Sequence, residues 1–283
     1  MSQSHPSPRA PAEDTDAPVV IPVERAPGHR IAVRWAAREA TRRGVPLRIA
    51  VHADAAGERG SFAATLATVR EATPRVEVAA QPLHDEGLSD VSVDAGLMVL
   101  PASAPEVTEV VSESYCPVAV IGDVEPPDRG PVVLGAAPWT AENAFDVAFR
   151  EAAARDAPLH AIRLWTDPLV DLGRLGPDQI AEFDAADSQV RRELDVALSA
   201  WVATYPGVTV RTLVVEDDPV AGLLALTHRA QLLVLGRSVR GAALAQRVGS
   251  PVNPLVHRSR CPVLVVPADG PPRLRWLPPG RPG

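Results

Sequence analysis

The chain contains no lysine, so all 28 of its basic residues are arginines. We attribute this bias to coding preference rather than to a demand for guanidinium chemistry. Acidic residues outnumber basic ones, which gives a formal net charge of −7. Because binding to nucleic-acid phosphates needs a basic surface, this charge argues against a nucleic-acid partner.

Long apolar runs are also missing. No run reaches the roughly 18 residues that a membrane-spanning helix needs, and the first residues lack the apolar core of a secretory signal. These absences predict a soluble cytoplasmic protein with no membrane partner.

Cysteine is scarce as well. The two cysteines, Cys116 and Cys261, are too few for a disulfide framework. Each is followed by Pro-Val and an apolar run, where a small apolar thiol packs well. We therefore expect both thiols to be structural rather than redox-active.

The sequence repeats itself. Leu-Met-Val-Leu-Pro-Ala-Ser at 97–103 returns as Leu-Leu-Val-Leu-Gly-Arg-Ser at 232–238, and a Cys-Pro-Val segment follows each copy. Arg-Gly-Val-Pro-Leu at 43–47 likewise matches Arg-Asp-Ala-Pro-Leu at 155–159. This repetition indicates one fold built twice, and a hydrophobic content of 46% is enough for two domain-sized cores.

Composition divides the chain into five segments. Residues 1–18 and 268–283 are rich in proline and small or charged residues, which predicts a disordered N-terminus and a flexible tail. The two repeats span 19–123 and 131–267, and a charged, proline-containing linker lies at 124–130.

Strands and helices alternate within each repeat. Strands are predicted at 19–23, 47–51, 76–80, 97–100, 131–134, 159–164, 208–215 and 232–235, and after each Cys-Pro-Val. Helices are predicted from about Arg30, from Thr140 as cap, from Pro177, and from Pro219 after the cap Asp218. This alternation predicts an α/β fold with a parallel sheet covered on both faces.

Several segments carry a family resemblance. They are Leu-Leu-Val-Leu-Gly-Arg-Ser-Val-Arg-Gly at 232–241, Gly-Ser at 249–250, Leu-Val-His at 255–257 and Cys-Pro-Val-Leu-Val-Val at 261–266, with the opening 19–21 and 32–40. Together they resemble the universal stress protein family in its tandem two-domain form, over roughly 19–122 and 130–267. The resemblance implies two tandem repeats, each a five-stranded, mainly parallel sheet with helices on both faces.

The resemblance also implies where a ligand binds. In nucleotide-binding members, ATP lies at the carboxyl ends of the strands, where an Asp near the end of the first strand faces the adenine. A loop of the form Gly-x2-Gly-x9-Gly-Ser/Thr holds the phosphates. Glycines let backbone N–H groups approach phosphate oxygens, and a hydroxyl at a helix N-terminus adds a donor and positive potential.

The second repeat keeps most of this loop. Gly236 and Gly249 match its first and third glycines, and Ser250 matches the hydroxyl. Arg237 and Arg240 add positive charge within the loop. These five residues are the predicted cofactor-binding residues.

Three positions of the second repeat depart from the motif. Val239 replaces the second glycine, where a positive φ would strain a β-branched residue by roughly 1–3 kcal/mol. Ala137 stands in the place of the adenine-facing Asp, and Val252 in that of a second hydroxyl. We therefore expect ATP binding to be weak or vestigial.

The first repeat departs further. Sixteen positions separate Leu100 from Cys116, against 26 from Leu235 to Cys261, so ten residues are missing where the phosphate loop belongs. Pro101 replaces the first glycine, and Glu24 takes the Asp position. The departures extend to three acids that would repel phosphate, Glu106, Glu109 and Glu113. We predict that this repeat is degenerate and holds no nucleotide.

Other chemistry is not indicated. The seven histidines show no metal-ligand spacing, and His257 is expected to pack. The acids of Glu216-Asp217-Asp218 are better explained by a helix cap at Asp218 than by a cation site. No hydrolase elbow, Walker loop or dinucleotide fingerprint is present, so we predict no catalytic or metal residues and no enzyme activity.

Two functions remain open. The first is a non-enzymatic stress-response or regulatory protein with weak adenine-nucleotide binding in the second repeat. The alternative is a ligand-free scaffold for an unknown protein partner, in which Val118–Ile121 and Val263–Val266 pair the repeats as a pseudo-dimer or mediate homodimerisation. An enzyme of the wider adenine-nucleotide α-hydrolase-like group is a remote third possibility.

Overall fold

A computed structural model describes residues 17–23, 29–52, 58–83, 87–165, 177–237 and 252–268. Within these ranges lie ten strands: β1 Val19–Pro22, β2 Leu47–His52, β3 Val78–Leu83, β4 Leu97–Pro101, β5 Val118–Ile121, β6 Val132–Gly135, β7 Leu159–Trp165, β8 Val210–Glu216, β9 Leu232–Gly236 and β10 Val263–Val266. The helices of the same ranges are α1 His29–Arg43, α2 Glu58–Ala72, α3 Leu88–Val91, α4 Val107–Glu113, α5 Glu142–Ala154, α6 Pro177–Thr204, α7 Pro219–Thr227 and α8 Val252–Arg258, with a 3-10 turn at Ser92–Asp94.

The strands form a single sheet in the order β3-β2-β1-β4-β5-β10-β9-β6-β7-β8. All neighbours within each half are parallel, and the order of the second half mirrors that of the first. The predicted α/β fold of two five-stranded parallel repeats is therefore confirmed.

The two halves meet at one antiparallel seam between β5 and β10. Val263 lies opposite Val120, and Leu264 lies opposite Ala119. The predicted pairing of the closing strands is thus observed within the chain. Because β5 and β10 each have a neighbour on both sides, neither strand presents an edge to a second copy; β3 and β8 are the edge strands.

Helices cover both faces of the sheet, so each strand buries residues on both sides. Val19 and Ile21 of β1 join the core beneath α1, α2, α5 and α6, whereas Val20 joins the core beneath α3, α4, α7 and α8. A doubly covered parallel strand needs a continuous apolar run rather than alternation, which is why these strands could be recognised as short apolar segments. Helix α6 belongs to the first layer, where Leu194 and Leu198 are buried and Trp201 stacks on Phe149.

A buried cluster of charges joins α1 to α5 across the seam. We call Glu39, Arg42, Arg43, Glu151 and Arg155 the inter-repeat ion cluster. Arg43 Nη2 lies 2.6 Å from Glu151 Oε1, and Arg155 Nη2 lies 3.1 Å from Glu39 Oε2. Further contacts link Arg43 to Glu39 at 2.7 Å, Arg42 to Glu151 at 3.2 Å, Arg42 to Glu39, and Arg155 to Glu151. Each glutamate therefore binds arginines of both halves.

Burial and charge act in opposite directions on Glu151. Burial favours its neutral form, but the charges of Arg155, Arg43 and Arg42 and a hydrogen bond from Arg155 outweigh burial, and they lower its pKa from 4.5 to about 2. Glu39 is equally enclosed, with only 3% of its surface exposed. Carboxylates buried in this way are stable only while their cations stay in place.

Local details correct some of the predicted boundaries. Thr140 does not cap α5, because the N-cap is Ala141, which makes no side-chain cap hydrogen bond. The Thr140 hydroxyl instead accepts the N–H of Ala137 at 2.8 Å. Strand β3 begins at Val78 rather than at residue 76, because Arg70 Nη1 donates to the carbonyl of Val76 at 2.9 Å and keeps it in the preceding turn.

Strand β8 begins at Val210 rather than at residue 208, because Val208 N–H donates to the carbonyl of Tyr205 in the preceding turn. Two predicted helix starts are confirmed. Helix α6 begins at Pro177, and Asp218 caps α7 by accepting the N–H groups of Val220 and Ala221 at 3.1 and 2.8 Å. Capping is thus the observed role of Asp218. Residues 1–16 and 269–283, for which disorder or flexibility was predicted, lie outside the described residues.

The linker at 124–130 follows a defined path along α1. Arg34 binds Glu125, and Arg38 lies 3.9 Å from Asp128. The linker ends at Gly130, whose φ is +137°, and Gln231 Nε2 donates to its carbonyl at 2.6 Å. The linker is therefore fastened to both halves.

Candidate functional site

The candidate site lies at the carboxyl ends of β6 and β9. These strands are parallel neighbours, with Gly135 opposite Leu235. The residues that follow each strand therefore lie at the same edge of the sheet. Gly236 ends β9, and a Cβ atom there would lie 3.3 Å from both Thr140 Cγ2 and Ala144 Cβ. The glycine therefore allows the turn after β6 to pack closely against the end of β9.

Two of the five predicted binding residues lie at this edge. They are Gly236 and Arg237, at the end of β9 and directly after it. Arg240, Gly249 and Ser250, together with Val239, lie outside the described residues. The structure therefore describes only the first two of the five predicted binding residues.

Arg237 reaches across the seam. Its backbone N–H donates to the carbonyl of Val266 at 2.7 Å, which continues the β9–β10 pairing by one residue. Its Nη1 donates to the carbonyl of Ser114 in the first half at 2.8 Å. Arg237 therefore connects the end of β9 to the first half.

Residues 136–141, which we call the β6 turn, are tightly hydrogen-bonded. Ala136 N–H donates to the carbonyl of Ile162 at 2.8 Å, and the carbonyl of Ala136 accepts Arg163 Nε at 3.1 Å. Ala137 N–H donates to Thr140 Oγ1 at 2.8 Å, and the carbonyl of Ala137 accepts Thr140 N–H at 3.0 Å. The turn that carries Ala137, in the position of the adenine-facing Asp, is thus fixed from both sides.

Two residues of this edge were not anticipated from the sequence. Trp139, in the β6 turn, has 51% of its surface exposed. Arg163 of β7 is only 5% exposed, and its Nη1 lies 3.6 Å from Glu193 of α6. Burial lowers the pKa of Arg163, and the charge of Glu193 opposes that shift. An arginine inside an otherwise apolar strand was the signal that could have drawn attention to this position.

The first half has a different arrangement at the equivalent edge. Only residues 102–106 separate β4 from α4, whereas β9 and α8, the next helix that the structure describes, are 15 residues apart in sequence, at 237–251. The short connection is a tight turn in which Ala102 N–H donates to the carbonyl of Ile121 at 2.7 Å and Ala104 N–H to that of Pro101 at 3.0 Å. Ala104 and Val107 are buried, so apolar packing occupies the place of a loop.

The short first-half turn supports the second half. His257 of α8 is exposed, and its Nδ1 donates to the carbonyl of Ala102 at 3.0 Å. Thr108 Oγ1 of α4 donates to Asn253 Oδ1 of α8 at 3.4 Å. His257, which was expected to pack, is thus exposed, and its ring binds the backbone of the other half.

The cysteines were the other candidate reactive groups. Both cysteines are free and buried, and burial raises the pKa of Cys116 to about 12 and that of Cys261 to about 11, as expected for structural thiols. No group of three or more metal-ligating side chains occurs within the described ranges. Among the helices that the structure describes, none is long and apolar enough to cross a membrane.

Two open grooves lie elsewhere on the molecule. Their volumes are about 730 and 600 Å³, and both are lined by Asp156, Pro158 and Arg211 at the amino ends of β7 and β8. They are on the edge of the sheet opposite to Gly236. Their position therefore gives no support to the predicted phosphate loop.

Comparisons with known proteins agree with this architecture. A universal stress protein of Mycobacterium tuberculosis is 30% identical over 313 residues, covering 91% of this chain and 98% of that protein. A second one from the same species is 29% identical over 294 residues, covering 87% and 95%.

Solved structures show the same fold. The crystal structure of a universal stress protein from Archaeoglobus fulgidus superimposes with a TM-score of 0.59 at 14% identity, covering 89% of this chain and 97% of that one. A protein of unknown function from Pseudomonas aeruginosa superimposes with a TM-score of 0.63 at 14% identity, covering 90% and 93%. The sequence model of the universal stress protein family matches residues 131–267. The chain therefore belongs to the universal stress protein family.

Proposed function

We propose that this protein is a non-enzymatic stress-response or regulatory protein whose second half binds an adenine nucleotide weakly and whose first half is structural. The observation that carries the proposal is the difference between the two equivalent edges. The second half keeps a long connection after β9, at residues 237–251, whereas five residues close the same connection in the first half. A phosphate loop therefore has room in one half only.

The residues fit a nucleotide in part. Gly236 and Arg237 place a close-packed strand end and a guanidinium at the carboxyl edge. Gly249, Ser250 and Arg240 are proposed to complete the phosphate contacts through backbone N–H groups, a hydroxyl and a second positive charge. Ala137 supplies no carboxylate to the adenine, which is why the proposed binding is weak.

Hydrolysis is not part of the proposal. The residues proposed to contact phosphate are glycine, serine and arginine, which donate hydrogen bonds and positive charge but do not act as a general base at neutral pH. A cytoplasmic location stays a prediction.

The alternative is a ligand-free scaffold for another protein. It is favoured by the use of Arg237 and His257 for hydrogen bonds between the halves, since such contacts hold the pseudo-dimer together without a ligand. Because β5 and β10 pair with each other, a protein partner or a second copy would have to dock elsewhere. Homodimerisation stays a prediction.

Calorimetric titration of Mg-ATP into the full-length protein separates the two functions. We expect one site per chain with a Kd on the order of 100 μM, about −5.5 kcal/mol. Gly249→Asp should weaken binding by at least about 10-fold, because it places a negative charge against the phosphates. Gly60→Asp is the matched control, since Gly60 lies in α2 with open space around a Cβ, and it should leave binding unchanged. Absence of heat from binding at millimolar ATP would reject the nucleotide and leave the scaffold.

A further inference from the structure

The ten-stranded sheet ends at two edge strands, β3 and β8. In a parallel pair, a residue of one strand bonds to the residues on either side of its partner, so alternate residues of an edge strand turn both backbone groups away from the sheet. Leu159 N–H donates to the carbonyl of Thr209 at 2.9 Å, and Asp217 N–H donates to that of Trp165 at 3.2 Å. These bonds fix the alternation along β8. The outward-facing residues of β8 are Val210, Thr212, Val214 and Glu216.

Strand β3 is closed to further pairing. Leu47 N–H donates to the carbonyl of Glu77 at 2.8 Å. By the same alternation, the outward-facing residues of β3 are Val78, Ala80 and Pro82. Proline has no N–H and cannot donate to an added strand. Proline at such a position is one of the features that keep an edge strand from pairing with another chain.

Strand β8 lacks this protection. It contains seven residues, four of them β-branched, and no proline, so each outward-facing residue has both a donor and an acceptor to offer. No hydrogen bond between described residues occupies these outward groups. Val215, with 40% of its surface exposed, lies on the same face of the sheet as Leu213. An added strand would complete the pairing and cover these two apolar side chains.

The charges of β8 indicate which strand would be added. Arg211, near the amino end, is exposed, and Glu216 and Asp217 lie at the carboxyl end. None of the three takes part in an ion pair between described residues. Antiparallel pairing of two copies of β8 places the arginine of one beside the acids of the other, whereas parallel pairing sets like charges opposite each other. The edge is therefore complementary to itself under a twofold axis.

We propose that β8 pairs in antiparallel with β8 of a second copy, so that two chains form a dimer with one continuous sheet. Outward-facing residues must lie opposite outward-facing residues, and the register that also sets Arg211 opposite Asp217 puts the twofold axis at Val214. The other opposed pairs, each formed twice, are Thr212 with Glu216, Leu213 with Val215, and Arg211 with Asp217. The dimer does not depend on the nucleotide proposed to bind beside Gly236.

Sedimentation equilibrium of the full-length protein over about 1 to 100 μM tests the dimer. The unaltered protein should reach the mass of two 29.9 kDa chains. Thr212→Pro removes an outward N–H but no bond to β7, as Pro82 does in β3, and should raise the dimer Kd by at least about 10-fold. Ala80→Pro is the matched control, because it adds a proline at an outward position of β3, and it should leave the Kd unchanged.

A charge exchange tests the register without proline. Arg211→Glu sets two acids opposite each other and should raise the Kd by roughly 5-fold. Adding Asp217→Arg to the same chain restores opposite charges and should recover most of the affinity. Because Arg211 is exposed, its replacement should leave the fold intact, which circular dichroism checks.

Three results would overturn the proposal. They are a monomer at every concentration, a dimer whose Kd neither Thr212→Pro nor Arg211→Glu changes, and equal weakening by Thr212→Pro and Ala80→Pro. None of these results bears on the titration with Mg-ATP, so the proposed function is tested separately.

Discussion

Replacing Glu151 with Gln is expected to lower the free energy of unfolding by about 3–5 kcal/mol, the cost of removing one partner from a buried ion pair. The remaining carboxylate of the inter-repeat ion cluster, Glu39, would then face three guanidinium groups alone. Arg155 is almost fully buried, with 8% of its side chain exposed, so water cannot replace the lost charge. Urea unfolding at pH 7 measures the difference.

An exposed ion pair provides the matched control. Arg30 and Glu71 are in contact at 3.4 Å, but about two thirds of each side chain is exposed, at 68% and 66%. Glu71→Gln should therefore change stability by no more than about 0.5 kcal/mol. Equal losses in Glu71→Gln and Glu151→Gln would show that the cluster does not hold the halves together.

The same cluster predicts an acid-dependent loss of stability. The pKa of Glu151 is about 2 in the folded chain, below its ordinary value of 4.5. A carboxyl group with a lowered folded-state pKa stabilises the fold fully above its unfolded pKa, and this contribution disappears as pH falls through the folded value. Between about pH 5 and pH 2 the unaltered protein should therefore lose more stability than Glu151→Gln. Parallel pH profiles would contradict the assignment.

Replacing Gly130 with Ala is expected to cost about 3 kcal/mol. Its φ of +137° is unfavourable for any residue with a Cβ, and that Cβ would lie 2.1 Å from the carbonyl oxygen of Arg229. Relief of the clash would move the end of the linker and weaken the hydrogen bond from Gln231 to the Gly130 carbonyl. Thermal and urea unfolding both report the loss.

Gly44 separates backbone strain from steric clash. Its φ is +69°, but no atom lies within 4 Å of the position of a Cβ. Gly44→Ala should therefore cost only about 1 kcal/mol, from the left-handed conformation alone. If Gly44→Ala were as destabilising as Gly130→Ala, the close approach at Arg229 would not be the cause.

The repeats and most strands could be predicted because doubly covered parallel strands leave a local signature. The segment after Cys261 and its copy after Cys116 are short apolar runs, and each became the strand that closes its half. Helix α2, at Glu58–Ala72, was not predicted. It is rich in alanine and threonine, so its apolar periodicity is weak.

The contacts between the halves could not be predicted from local patterns. Arg237 binds Ser114, and His257 binds Ala102, across more than a hundred residues of sequence. These hydrogen-bond partners depend on which strands meet at the seam. The sequence left open whether β5 and β10 pair within the chain or between two copies. The repeated Glu-x3-Arg spacing at Glu39 and Glu151 was a usable signal for the ion cluster, because repeated residues face each other across a pseudo-twofold seam.

The sequence predicted the position of Gly236 in the candidate site, but it did not predict the hydrogen bonds of the β6 turn. Gly236 was found by its place in the loop motif, and it does lie at the end of β9. Ala137 was recognised as a departure, but the sequence did not show that Thr140 and Arg163 would occupy the polar groups around it. Those hydrogen bonds arise from tertiary packing, which a local sequence pattern does not report.

The central claim is that a nucleotide binds in the second half only, at the carboxyl ends of β6 and β9. The most direct test is a crystal structure of the full-length protein grown with millimolar Mg-ATP. The account predicts one nucleotide per chain, with its phosphates beside Gly236. A nucleotide at the carboxyl ends of β1 and β4 would contradict it, and so would crystals grown at millimolar Mg-ATP that hold no nucleotide.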